Sequence, residues 1–381
     1  MSNFLSKNRA IVIFLFVLYL ALSPTTLVVA GLMRFFPTLV LILVSIFGLI
    51  SWGGVRNARM GLLFKFFVLF VIFNAIVTES AYDNKLITLV RSTYWIWVYF
   101  LSFVFFYNKK LCSKEYQRII VLISILMMSV FYISHKFRVV MMEKEVGDNI
   151  IFYSLMLLPW ISIIHNKKFK WIIIVLLSLC TLLSIKRSSA IIMMCSVIII
   201  YYSDFLRNKK IKLSTIFAGF IVVICLVGIS YFASDKVDVV VQRFELIEED
   251  GGSGRDGIYE DVYNRYLSSS IEKQILGHGF DGVRRDSSYI IPVSAHNDFL
   301  EVLYDFGVIG FLLYVLIHFS LIKWSIQLFR ARSRLAFPVL ISYVCFLVMS
   351  IVSHLVLYPT YFGLLVAFWA YAECKDKGLQ Y

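Results

Sequence analysis

Long apolar runs, recurring between short charged breaks, constrain this chain more than any other feature. A bilayer core of about 30 Å takes about 20 apolar helical residues. Runs of that order predict about twelve spans. They lie near 10–30, 35–52, 60–78, 93–107, 117–134, 150–165, 171–185, 189–203, 213–233, 299–322, 336–354 and 358–372. The expected fold is an all-α polytopic membrane protein. The first run follows Lys7 and Arg9 as a signal peptide would, but Ser23-Pro24 leads into more apolar sequence, so it reads as a retained span. Composition agrees: 60% of residues are hydrophobic and 16% charged, against about 45–50% and about 25% in soluble domains.

Charge gives the expected orientation. The chain carries +13 overall, from 37 Lys and Arg against 24 Asp and Glu. With twelve spans and the amino terminus inside, the inner segments hold 22 cations and 4 acids, a net +18, and the outer segments hold 15 and 20, a net −5. Both termini are then cytoplasmic. The basic excess is explained by attraction to anionic lipid and calls for no nucleic acid as partner. The six Cys form no CxxC and no Cys–His pairing at zinc-ligand spacing, so neither a disulfide framework nor a structural metal is indicated.

One segment differs in kind. Residues 234–298 are polar, with 7 Lys and Arg against 13 Asp and Glu, and the topology places them outside. The expected organisation is a membrane domain over 1–233 with spans 1–9, a large outer loop over 234–298, and a second membrane portion over 299–381 with spans 10–12 and a short tail. A loop of this size is near the lower limit for burying its own core and is expected to pack on the membrane domain.

The most informative stretch joins that loop to a span: Ser294-Ala295-His296-Asn297-Asp298-Phe299-Leu300-Glu301, continuing to Gly307-Val308-Ile309-Gly310. Asn297 or Asp298 suits a helix cap, and Asp298 and Glu301 suit the positive end of the helix. His296 then sits just before a helix start. It is either a general base, since an unperturbed imidazole has a pKa of about 6.5, or an interfacial histidine hydrogen-bonded to the loop.

A second feature is the short hairpin around Lys186 and Arg187, whose turn should lie below the outer membrane surface. A cation there snorkels, pairs with an anion or lines a cavity; Arg also holds phosphate bidentately. A third is Gly251-Gly252-Ser253-Gly254-Arg255-Asp256-Gly257-Ile258-Tyr259 in the outer loop, with Arg255 just before an amphipathic helix through Ile258, Val262 and Tyr266. It is neither a dinucleotide fingerprint nor a Walker motif, and alone such a loop is more often only a flexible connection.

Weaker signals are Arg91 before the Trp95/Trp97 belt, which snorkels or reaches the same site, and His354, which lines a cavity or caps a span. His278 reads as turn chemistry, Arg284-Arg285 as solvated surface, and Glu248-Glu249-Asp250 as a solvated run.

Together, Leu183-Ser184-Ile185-Lys186-Arg187-Ser188-Ser189, Gly254-Arg255 with Tyr259, Leu276-Gly277-His278-Gly279, and His296-Asn297 leading to Gly307-Val308-Ile309-Gly310 resemble the bacterial O-antigen ligase/polymerase superfamily, most closely a Wzy-type polysaccharide polymerase. The resemblance covers about 180–320. It implies a multi-pass inner-membrane glycosyltransferase with its active face in the periplasm, using undecaprenyl-diphosphate-linked glycan and needing no cofactor, nucleotide sugar or metal. By position, His296 would be the base, with Asn297, Tyr259 and His354 in support, and Arg187, Arg255 and Arg91 would bind the diphosphate. A chain-length regulator and a flippase would be partners. Ala295 precedes His296 where some ligases have a second histidine nearby, which ranks polymerase above ligase. Two rivals from other classes are a lipid-dependent glycosyltransferase using Glu79 or Asp83 as base, and a transporter or flippase. Against the latter, no matched six-span halves are seen.

Overall fold

The computed structural model describes residues 35–78, 85–107, 113–142, 149–184, 186–208, 251–290, 292–357 and 359–377. In these the chain is all-α. The helices are α1 (Phe35–Ile50), α2 (Gly61–Val77), α3 (Lys85–Tyr107), α4 (Ser113–Met142), α5 (Ile151–Leu155), α6 (Leu158–Ser162), α7 (Lys167–Leu183), α8 (Arg187–Asn208), α9 (Gly251–Leu267), α10 (Ile271–Leu276), α11 (Gly282–Arg285), α12 (Asp298–Arg330), α13 (Ala336–Val352) and α14 (Pro359–Asp376).

The expectation of about twelve spans is corrected. Among the described residues only four helices are long and apolar enough to cross a membrane: α3 over Ile87–Tyr107, α4 over Ile119–Lys136, α8 over Arg187–Leu206, and α12. The chain is thus read as a multi-pass membrane protein with fewer long crossings than its hydropathy implies. The runs at 10–30 and 213–233 lie outside the described residues, as do both termini. Elsewhere the difference has local causes. The 150–165 run breaks at Met156–Leu157 into two five-residue helices, α5 and α6, the second with Pro159 in its first turn. Residues 150–162 are buried almost throughout, and non-helical backbone at membrane depth is tolerated when covered by protein. α2 and α13 have 17 residues each. α14 carries Glu373, Lys375 and Asp376 in its last turn. The sorting of charges into +18 inside and −5 outside rested on twelve crossings and loses its basis with them.

The centre of the molecule is the pair α3 and α14. Residues 361–374 of α14 are all buried, and Trp95 of α3 stacks on Phe362 with centroids 4.6 Å apart. Phe64 of α2 meets Trp95 edge-on at 5.2 Å. Two polar contacts are buried as well: Lys170 of α7 donates to Asp204 of α8 at 2.7 Å, and Tyr99 donates to Glu373 at 2.6 Å.

The segment α9–α11 packs on the start of α12. Val262, Tyr266, Val283, Ala295 and Tyr304 form a small buried cluster with Ile258, Leu300 and Leu303 against it, so the apolar stripe read through Ile258, Val262 and Tyr266 faces α12. The buried Asp305 carboxylate accepts the N–H of Asp281 (2.7 Å) and Val283 (3.2 Å). Two glycines allow the approach. Gly307 (φ 62°) kinks α12, and a Cβ there would strike the Ile275 carbonyl; Gly277 (φ 89°) lies equally close to the Asp305 carbonyl. Only glycine takes up such positions without steric cost.

Candidate functional site

α12 starts where its sequence requires. Asn297 caps it, its Oδ1 accepting from the N–H of Phe299 (2.9 Å) and Leu300 (3.2 Å). With the cap filled by Asn297, Asp298 turns inward. Its fully buried carboxylate accepts the N–H of Leu355 (3.0 Å) and Val356 (3.2 Å) and the Tyr314 hydroxyl (3.0 Å). Three residues on, the fully buried Glu301 accepts the Ala295 N–H through Oε2 at 2.7 Å. Each carboxylate therefore grips backbone next to a histidine: Ala295 precedes His296, and Leu355 follows His354.

The two histidines meet. His354, just past the end of α13, is buried, and its ring centroid lies 4.4 Å from that of half-buried His296, with planes 32° apart. The Tyr361 hydroxyl donates to the His354 carbonyl at 2.8 Å. His296 has φ 54°, a left-handed conformation that few non-glycine residues adopt and that histidine tolerates better than most. Such strain persists where surrounding contacts enforce it.

Electrostatics draw in two cations. Burial, then the charges of Arg255 and Lys186, push the His296 pKa down to about 4. Burial, then His296, Arg255 and Lys186, push His354 down to about 3. Both imidazoles are neutral at neutral pH, so each keeps a lone pair able to accept a proton. The unperturbed value used in reading the sequence does not apply here.

The cations come from two other parts of the chain. Lys186 lies in the turn between α7 and α8, and half-buried Arg187 opens α8. Serines tie that turn: Ser184 Oγ donates to the Thr181 carbonyl (2.7 Å), Ser189 Oγ to the Lys186 carbonyl (2.6 Å), and the two hydroxyls lie 2.9 Å apart. Arg255 lies inside α9, not just before it, and Tyr259 is one turn on; both are half-buried. Arg91 is exposed on α3. The structure thus joins His296, His354, Arg255 and Lys186, with Arg187 adjacent in sequence and Asn297 capping α12.

Other signals resolve into structure. The His278 ring stacks on Tyr304 at 4.1 Å, and its Nε2 lies 2.8 Å from Ser269 Oγ. Arg285 donates to Asp286 (2.7 Å) and to the His278 carbonyl (3.0 Å). Burial pulls the Asp286 carboxyl up, but hydrogen bonds with His278 and Arg285 and the Arg285 charge outweigh it and hold the group low. Glu79, Asp83 and Glu248-Glu249-Asp250 lie outside the described residues. Among the described residues no three His, Cys, Asp or Glu gather as a metal set.

The sequence reading missed what Asp298 and Glu301 do. It gave them to the helix dipole, yet their i, i+3 spacing puts both on one face of α12, from which Asp298 reaches Leu355 and Val356 and Glu301 reaches Ala295.

Residues 172–315 match a protein-family model described as O-antigen ligase. The match begins early in α7, takes in Lys186, Arg187, Arg255, Tyr259, His296 and Asn297, and ends in α12; Arg91 and His354 fall outside it. It supports the O-antigen ligase/polymerase superfamily, not the Wzy-type polymerase in particular, and with it an enzymatic role on lipid-linked glycan. No curated protein matches the chain.

Proposed function

We propose that the protein is a glycosyltransferase that moves a glycan from an undecaprenyl diphosphate to a sugar hydroxyl, with the transfer of O-antigen to lipid A–core as its reaction. The observation that carries this reading is the meeting of the His296 and His354 imidazoles, with ring centroids 4.4 Å apart and the charges of Arg255 and Lys186 acting on both. His296 takes the acceptor hydroxyl proton as the new C–O bond forms at the anomeric carbon. The bond from that carbon to the diphosphate oxygen breaks, and the lipid diphosphate leaves with the electron pair. Arg255 stabilises the charge developing on it, with Lys186 and Arg187 as further cations, since preorganised positive charge acts most strongly where water is excluded. A lipid-borne donor accounts for cations placed beside membrane helices, and the family resemblance implies the periplasmic face for the reaction.

Two observations favour ligase over polymerase, reversing the order taken from sequence. The matched family is described by that activity. The missing second histidine before His296, which counted against a ligase, has a spatial counterpart in His354.

The test is reconstitution of purified protein with undecaprenyl-diphosphate-linked glycan and lipid A–core. A lipid A–core conjugate with released undecaprenyl diphosphate supports the proposal. Longer lipid-linked chains with the core left bare make it a polymerase instead, and glycan crossing the bilayer unchanged makes it a transporter.

A further inference from the structure

We infer that Asp298 and Glu301 are positioning residues, a carboxylate pair on one face of α12 that holds the His296 and His354 imidazoles against each other. The inference rests on the proposed base role of His296 for its kinetic consequence, though not for its geometry.

Three observations carry it. The contacts are matched: Glu301 Oε2 holds the N–H preceding His296 at 2.7 Å, and Asp298 holds the N–H groups of the two residues following His354 at 3.0 and 3.2 Å. Second, the Glu301 carboxylate is fully buried, and its Oε1 has no hydrogen-bond partner among the described residues. A buried carboxylate so sparingly satisfied is a poor stabilising device, because an apolar side chain of similar size avoids its desolvation. What the carboxylate does supply is a fixed point for one loop. Third, that loop needs fixing, since His296 sits at φ 54° and would relax toward ordinary backbone if Ala295 were released. The two grips are one helical turn apart, so α12 sets both loops from a single rigid element.

Two conservative substitutions separate the reach of the side chain from its carboxyl group. Glu301→Gln keeps the length and an acceptor oxygen but replaces the carboxyl with an amide. Glu301→Asp keeps the carboxyl but withdraws it by one methylene. Each variant, in nanodiscs with isotope-labelled histidine, is read by the NMR titration of His296 and by kcat and KM for glycan transfer. The expected result for Glu301→Gln is a His296 midpoint within about half a unit of wild type and kcat within about twofold. For Glu301→Asp it is a midpoint raised by at least about one unit toward the free-imidazole value and kcat lowered about tenfold at nearly constant KM. Asp298→Asn against Asp298→Glu repeats the contrast on His354. An unmoved His296 in Glu301→Asp, or a Glu301→Gln protein perturbed as much as Glu301→Asp, would overturn the inference. A midpoint that moves in Glu301→Asp with kcat unchanged supports the positioning and removes His296 from catalysis, so failure of the base role shows separately.

Discussion

The His296 and His354 imidazoles meet with centroids 4.4 Å apart, their planes tilted, although each belongs to a different loop. Two basic groups that close cannot both be protonated cheaply, and burial and two cations oppose even the first proton. The pair is therefore a neutral acceptor over the whole physiological range, with its first protonation deferred to acid pH.

That deferral fixes a pH profile. His296 has its pKa lowered to about 4, so kcat/KM should stay flat from neutrality down to about pH 5 and fall below it. An acid limb centred near 6.5 would mean that the imidazole is solvated in the working enzyme. Stability follows the same sign. Between about 6.5 and 4 the unfolded state binds a proton at His296 that the folded state refuses. Melting temperature should fall as pH drops through that window, and His296→Gln should flatten part of the slope.

Lys186 and Arg255 act on the imidazoles by charge, so removing either should raise the His296 pKa as well as weaken donor binding. Lys186→Met and Arg255→Met are each expected to move the acid limb upward and to raise KM for the lipid donor about tenfold or more. Arg255→Lys should recover the position of the limb but not the affinity, because an ammonium cannot hold phosphate bidentately. A Lys186→Met enzyme with an unshifted limb would take that residue out of the site.

The buried ion pair Lys170–Asp204 lies away from these groups, between α7 and α8. Breaking it one-sidedly strands a charge, so Asp204→Asn or Lys170→Met should destabilise by about 3–5 kcal/mol, and the double change Lys170→Met/Asp204→Leu by much less. Thermal unfolding in one detergent gives the comparison; equal losses in single and double variants would contradict it.

Gly307→Ala should loosen the α9–α11 segment. The substitution forces a Cβ into the Ile275 carbonyl at a left-handed backbone position, costing about 1–3 kcal/mol for the conformation alone. Faster proteolysis within 251–290 at unchanged cleavage of α12 is the expected readout, and unaltered protection would show that the contact is dispensable.

How much of this was legible depended on whether a feature is local. The Asn297 cap, the hairpin turn at Lys186 and the stripe Ile258, Val262, Tyr266 are set by neighbours in sequence, and each is seen in the fold. The number of crossings was not legible, because hydropathy gives the same signal for a helix buried in protein as for one facing lipid. α14, enclosed by α3 and its neighbours, and the broken pair α5 and α6 are the instructive cases. The union of His296 with His354, and the reach of Asp298 to Leu355, are tertiary contacts that no spacing rule reports.

The most direct test of the central claim is the transfer rate of a His296→Ala protein, purified alongside wild type and supplied with the same lipid-linked glycan and acceptor. With His296 as base, kcat should fall at least about a hundredfold while the lipid donor binds as before through its diphosphate. A His296→Ala enzyme that transfers glycan at the wild-type rate would contradict the claim.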